Sequence, residues 1–202
     1  MTRATWRLGA AATLLCVATA GQGALAQHKA AAPARSEADV NFMAGMIPHH
    51  AQAVLMAGWA ASHGARPDVA VLCERIVVGQ KDEIALMQYW LRQHGETVPS
   101  ATDTRMKMKG MPDMLMPGMM SDEEMAALDK ARGPEFDRLF MEGMIRHHQG
   151  AVAMVDELLA SKNAAQNDVV YKMASDIYAD QTTEIDRMQK MLAKGPAGSR
   201  AP

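Results

Sequence analysis

Residues 42–56 read FMAGMIPHHAQAVLM, and residues 140–154 read FMEGMIRHHQGAVAM; ten of these fifteen positions are identical at an offset of 98. A second pair follows at an offset of 101, QKDEIALMQYWL at 80–91 and QTTEIDRMQKML at 181–192. The chain is therefore one unit written twice, each copy with its FM-x-GMI-x-HH element first and its Q-x-x-EI-x-x-MQ-x-x-L element second. Spacing makes both elements helical. Phe42, Met46, His49, Ala53, Met56 and Ala60 recur every three or four residues. So do Val69, Cys73, Ile76, Gln80, Ile84, Met87 and Leu91, and no stretch alternates with the period of a strand.

The residues between these elements supply starts and stops. Ser36-x-x-Asp39 predicts a cap for a first helix and Gly64 its end; Pro67 suits the first turn of a second helix that closes near Gly95. Ser121-x-x-Glu124 is a capping box for a short helix, broken at Gly133-Pro134. A third long helix then runs to about Ser161, and Asn167 caps a fourth that Gly195-Pro196 stops. Each unit is an antiparallel helical hairpin that cannot bury its apolar stripe alone. Two hairpins together make an all-α, up-down four-helix bundle over 38–194. Its parts are repeat one at 38–95, a Met-rich crossover at 96–121 and repeat two at 122–194, with a flexible segment at 27–37 and a disordered tail at 195–202. Pro48 breaks the helical pattern and predicts a kink just before His49-His50.

The whole sequence has 202 residues, 49% hydrophobic and 22% charged, with a net charge of −2. Nucleic acid needs a basic field that this balance lacks. Aromatic residues at 4% argue against a base-stacking platform or a carbohydrate cleft. Residues 1–26 read as a secretory signal: Arg3 and Arg7, a short apolar run from Leu8 to Ala20, and an Ala24-Leu25-Ala26 cleavage site. The run is short for a membrane anchor, and Leu15 before Cys16 argues against a lipoprotein. Cleavage leaves Cys73 as the sole cysteine, without an intrachain disulfide, in an oxidising periplasmic or secreted compartment. No other segment is apolar for long enough to insert in a membrane.

The outlying number is 19 methionines. His49-His50 and His147-His148 each follow an M-x-x-M pattern, with Met43 and Met46 before the first pair and Met141 and Met144 before the second. On a helix Met46 shares a face with its histidines, and so does Met144. Thioether with imidazole is a donor set for copper, Cu(I) above all. The bland reading makes these Met core filler. Gln80 with Glu83, and Gln181 with Glu184, lie one turn apart beside the apolar stripe; they are expected to form a polar network that orients the imidazoles rather than to ligate metal. The crossover MKMKGMPDMLMPGMM places Met106, Met108, Met111, Met114, Met116, Met119 and Met120 in an exposed loop interrupted by Gly and Pro, suited to catching Cu(I) or Ag(I). Cys73 reads as a buried, inert thiol; His28, His63 and His94 have no histidine counterpart in the repeat.

Cys-x-x-Cys, His-Glu-x-x-His, a Gly-rich phosphate loop and a serine nucleophile elbow are all missing. The first and third long helices lack the Glu-x-x-His pairs of a di-iron bundle, so an oxidase is disfavoured.

The doubled Phe-Met-x-Gly-Met-Ile-x-His-His and Gln-x-x-Glu-Ile-x-x-Met-Gln-x-x-Leu motifs resemble the bacterial family called "domain of unknown function 305". Gly118-Met119-Met120-Ser121 ahead of Phe136-Asp137 is similar too, and the resemblance covers about residues 38–194. It implies a ferritin-like fold, and a role like that of the family's periplasmic or secreted copper-binding members linked to copper resistance. His49, His50, His147, His148 and the neighbouring Met are the positions it carries over. The resulting expectation is an exported, non-catalytic protein that sequesters or carries Cu(I) or Cu(II), and also takes Ag(I). A periplasmic copper exporter or chaperone is the expected partner. A Met-rich module for apolar partners is the alternative, and a ferritin-like redox enzyme a third.

Overall fold

The computed structural model describes residues 35–105 and 115–195; the proposed signal peptide, the 195–202 tail beyond Gly195 and Met106, Met108, Met111 and Met114 lie outside the described residues. Five helices follow in order: α1 Glu37–Gly58, α2 Pro67–Gln93, α3 Asp122–Lys130, α4 Pro134–Ala160 and α5 Asp168–Ala193. Among the described residues there is no strand. The starts lie where the local chemistry puts them. Ser36 with Asp39, and Ser121 with Glu124, form reciprocal capping boxes. Pro67 and Pro134 occupy first turns, and the Asn167 side chain accepts the Val169 N–H. One stop differs from expectation. Helix α1 ends at Gly58, and Gly64, at φ 69°, closes the following turn instead. Helix α1 continues on both sides of Pro48 as one element.

Helix α1 packs on α2 and α4 on α5, giving the two hairpins, and α1 packs on α4 to join them. All thirteen residues of the two periodic stripes in repeat one are buried. Their burial divides into two apolar clusters. One gathers Phe42, Met43, Met46 and Ile47 of α1 with Ile84, Met87 and Leu91 of α2, Met154 to Leu158 of α4 and Val170 to Ile177 of α5. The other gathers Ala53 to Ala60, Val69 to Ile76, Phe136 to Met144, Met188 and Met191. On every long helix the two clusters take opposite ends, and the buried side chains between them include the polar His49, His50, Gln52, Gln80, His147, His148 and Gln181.

The repeats also grip one another through a pair the sequence analysis treated only as capping and flanking residues. Asp39 and Asp137 are repeat equivalents, both buried. Asp39 accepts the Ala165 N–H at 2.7 Å in the α4–α5 turn, and Asp137 accepts the Arg66 N–H at 3.2 Å in the α1–α2 turn. Each opening helix thus satisfies a backbone donor in the other repeat's turn, as a two-fold arrangement requires.

Candidate metal centre

Four histidines fill the polar layer, and none has measurable exposure. His49 on α1 touches its own repeat mate His147 on α4, with ring centroids 3.9 Å apart and the ring planes tilted by 43°. A residue that touches its equivalent lies at the axis relating the repeats, so this contact marks the centre of the bundle. His50 and His148 stand to either side, their centroids 6.3 Å from His49 and 6.2 Å from His147 respectively.

Carboxylates hold the outer pair. Nε2 of His50 donates to Glu83 Oε2 at 2.8 Å, and Nε2 of His148 donates to Glu184 Oε2 at 2.7 Å. Both glutamates come from the second helix of the same hairpin and keep about a fifth of their side-chain surface in solvent (18% and 20%). A carboxylate oxygen accepts here, so the bonded N–H is Nε2, and in that tautomer the lone pair is on Nδ1. His49 is fixed differently: its Nε2 donates to the Pro117 carbonyl of the crossover at 3.0 Å. Its Nδ1 is then the lone-pair nitrogen as well.

These lone pairs have no partner. Among the described residues nine buried side-chain polar atoms lack a hydrogen bond, and eight belong to this layer: Nδ1 of His49, His50 and His148, both ring nitrogens of His147, both amide atoms of Gln80, and Gln181 Oε1. Orphaned buried polar atoms are rare and call for a ligand or water. Burial pushes the His49 imidazole down to about 3, helped by the neighbouring His50; burial likewise holds His147 well below its usual range, with His49 the next cause. Both rings are therefore neutral donors at any physiological pH, ready for a cation without releasing a proton.

The sulfurs bracket the layer. Met46 lies in one apolar cluster and Met144 in the other, each one turn from its His pair, with Met43 and Met141 a turn further into the same clusters. All four are essentially inaccessible to solvent. Among the described residues no three His, Cys, Asp or Glu side chains converge on one point. The donor groups in and beside the layer are imidazoles and thioethers.

Two expectations need correction. Gln80, expected in the polar network with the histidines, leaves its amide unpaired. Met119 and Met120 are not exposed loop residues: they are 6% and 5% exposed. The end of the crossover is pressed onto the bundle. Gln52 brackets Met120, donating to its carbonyl at 3.0 Å and accepting its N–H at 2.8 Å. Met119 Sδ accepts the Met116 N–H at 3.3 Å. Gly143 leaves room for the Met120 sulfur, since a Cβ there would stand 2.8 Å from it. Gly118, at φ 77°, lies against Arg146 and Gly150 in the same way. Met116 alone of the described crossover methionines stays partly exposed.

The unassigned histidines are accounted for locally. His63 Nε2 donates to the Asp129 carbonyl at 2.9 Å, its Nδ1 meets the Ser62 hydroxyl, and its ring stacks on Trp59. His94 donates to the Trp90 carbonyl and stacks on that indole. His28 lies outside the described residues. Cys73 is 1% exposed, and burial pushes its thiol up to about 12.

A doubled helical hairpin with a repeated His-His element on its axis defines a class. The family model described as "Domain of unknown function (DUF305)" matches residues 39–192. The chain belongs to this family. Several solved structures are similar to it. A DUF305 fragment from Deinococcus radiodurans is 29% identical, with a TM-score of 0.67 over 80% of this chain and 99% of that one. A Streptomyces coelicolor DUF305 protein that carries a secreted-protein assignment is 26% identical, with a TM-score of 0.66 over 78% and 93%. CopM, in a Cu(II)-bound form, is 30% identical, with a TM-score of 0.61 over 77% and 96%. CopM has also been crystallised with Cu(I) and with Ag, and without metal. No curated protein sequence matches the chain. Among the described residues no helix is long and apolar enough to cross a membrane.

Proposed function

We propose that this protein is an exported copper-binding protein that sequesters or carries copper and so contributes to copper tolerance, without catalysis. Cu(I) is held at His49-His50 and at His147-His148, with Met46 and Met144 as flanking sulfurs, and Ag(I) takes the same positions. Glu83 and Glu184 orient the outer imidazoles, as carboxylates behind a metal-bound histidine do. The Met-rich crossover gathers the ion, and Cu(II) is the second oxidation state accommodated. A periplasmic exporter or chaperone is the partner for release.

One observation carries this reading: Nδ1 of both histidines in each pair is buried and unpartnered. The ring spacing supports it. Two imidazole nitrogens about 2 Å from a shared ion and nearly opposite one another set their ring centroids roughly 6 Å apart, and the two pairs measure 6.3 and 6.2 Å. The likeness to CopM, crystallised with copper and silver, points the same way.

Anaerobic titration of Cu(I) against a competing chromophoric chelator tests the proposal. The expected result is tight binding that falls sharply when His49, His50, His147 and His148 are all replaced by Ala. Equal binding by both proteins refutes the histidine sites. Indifference of both to Cu(I) and Ag(I), with apolar peptides bound in the presence of chelator, would establish the interaction module instead.

A further inference from the structure

One open cleft adjoins the crossover. It encloses about 490 Å³ between the start of α1 and the end of α4. Two thioethers from different elements line it, Met116 of the crossover and Met154 of α4. Glu37 and Asn41 of α1 and Glu157 of α4 supply the oxygens, and Pro117 forms a wall. Among the described residues no Lys, Arg or His lines it. The repeat equivalent of Met154 is Met56, which is wholly buried in one apolar cluster; Met154 belongs to the other cluster but keeps 7% of its surface where it lines the cleft.

The crossover is built to stay there. The Met116 N–H is taken by Met119 Sδ, and the Met119 N–H by the Met116 carbonyl at 3.2 Å. The Gln52–Met120 bracket and the glycine contacts of Gly118 and Gly150 hold the next turn on α4. The Met116 side chain is therefore presented by a fixed turn. The Pro117 carbonyl behind it is the acceptor for His49 Nε2 at 3.0 Å.

Soft sulfur donors with nearby carboxylates, and no competing cation, select a soft monovalent cation. The thioethers favour Cu(I) or Ag(I) over harder ions. The carboxylates raise the local cation concentration at the mouth. We propose that this cleft is an external receiving site for Cu(I) or Ag(I), held between the sulfurs of Met116 and Met154, from which the ion passes beside Pro117 to the His49-His50 pair. The transfer is an exchange of neutral ligands, sulfur for nitrogen, with no change in oxidation state. The inference rests on the copper-binding reading above, because it names the position that feeds the buried histidines.

The test is a titration of the full chain, labelled with ¹³C at the methionine methyls, with silver nitrate. The M116L and M154L variants assign the two resonances; Met to Leu conserves volume and leaves a core largely undisturbed. The expected result is that the Met116 and Met154 methyls shift together at the first additions, and that M154L abolishes the Met116 shift. The shift persists when all four histidines are Ala. Silver taken up by the histidines or by other methionines, with these two methyls unmoved, overturns the receiving site and leaves the copper-binding reading standing. No response from any methionine or histidine overturns both.

Discussion

Gly150→Ala and Gly79→Ala make the same chemical change at two helix-interior glycines, and the structure gives them opposite signs. Gly79 is exposed on α2, with nothing within 4 Å of a Cβ built there. Alanine at that site removes the conformational cost of a helical glycine and stabilises by about 0.5–1 kcal/mol. Gly150 is buried on α4, and its Cβ would fall inside the Pro117 carbonyl oxygen and 2.9 Å from Gly118 Cα. Both obstacles are backbone, so the crossover has to move off the helix. Overpacking of this kind costs about 1–3 kcal/mol. The displacement also breaks the His49–Pro117 hydrogen bond and strains the two between Gln52 and Met120, each worth about 1 kcal/mol net. The total for Gly150→Ala is roughly 3–5 kcal/mol, with the helix-propensity gain as a small offset. For a domain of this size 1 kcal/mol is about 2–4 °C in midpoint. Thermal unfolding of the metal-free protein, followed by circular dichroism, should show Gly79→Ala melting a few degrees higher and Gly150→Ala roughly 10 °C lower. A Gly150→Ala midpoint within a couple of degrees of the parent would show that the crossover does not lie on α4 in this way.

Glu83→Gln with Glu184→Gln should leave the fold intact and weaken Cu(I) binding roughly 10–100-fold, the usual effect of losing the partner behind a ligating histidine; competitive titration giving an unchanged affinity would show that the carboxylates do not act on the metal. Acid should destabilise the metal-free protein from the histidine range downward. His49 is lowered to about 3 from 6.5 and His147 is lowered in the same direction, so below about pH 6.5 the unfolded chain binds protons that the folded one refuses. The stability from their neutral burial is full above that pH and is lost on the way down toward about 3, at up to ~1.4 kcal/mol per pH unit for each ring. Urea midpoints at pH 7 and pH 5 measure it, and equal midpoints would contradict it. Cys73, buried with its thiol pushed up to about 12, should resist alkylation by iodoacetamide at neutral pH and react only on unfolding; rapid labelling of the native protein, read by mass spectrometry, would refute its placement.

The helices were legible because each rests on local rules. Caps at Ser36, Ser121 and Asn167, prolines at first turns, and stripes with a period near 3.6 need no knowledge of the rest of the chain. The repeat then supplied tertiary information, since two copies of one half-buried hairpin have few ways to cover each other. The contacts between distant segments were hidden. Asp39 looks like a cap residue and is one, accepting from the Ser36 N–H at 2.8 Å, yet its other oxygen serves Ala165. Nothing in a window around position 39 announces position 165. Met119 and Met120 read as exposed because Gly and Pro surround them. Their burial depends on Gly143 and Gly150 lying opposite, and those glycines look like unremarkable helix positions until the crossover is laid on them. The contact of His49 with His147 is the one long-range meeting the repeat itself announces: equivalent residues on the two central helices are the ones a two-fold axis brings together.

The same axis explains where the repeats stopped resembling each other. His-His, the Met pair and the Gln/Glu pair are duplicated, and they sit in and beside the polar layer that both repeats build. A crossover has no duplicate, so the two repeats meet it through different side chains and in different ways. Position 52 is a glutamine that brackets Met120, whereas its mate Gly150 yields space to Pro117. Position 146 is an arginine paired with Glu124 at 2.8 Å, the first turn of the short helix that follows the crossover, whereas its mate is Pro48. The histidines inherit this difference without any change of their own. His49 gives its Nε2 proton to the crossover, but His147 has both nitrogens unpartnered. Two pairs of identical sequence therefore differ in their hydrogen bonds: His49 donates to the turn that carries Met116, and its mate His147 does not.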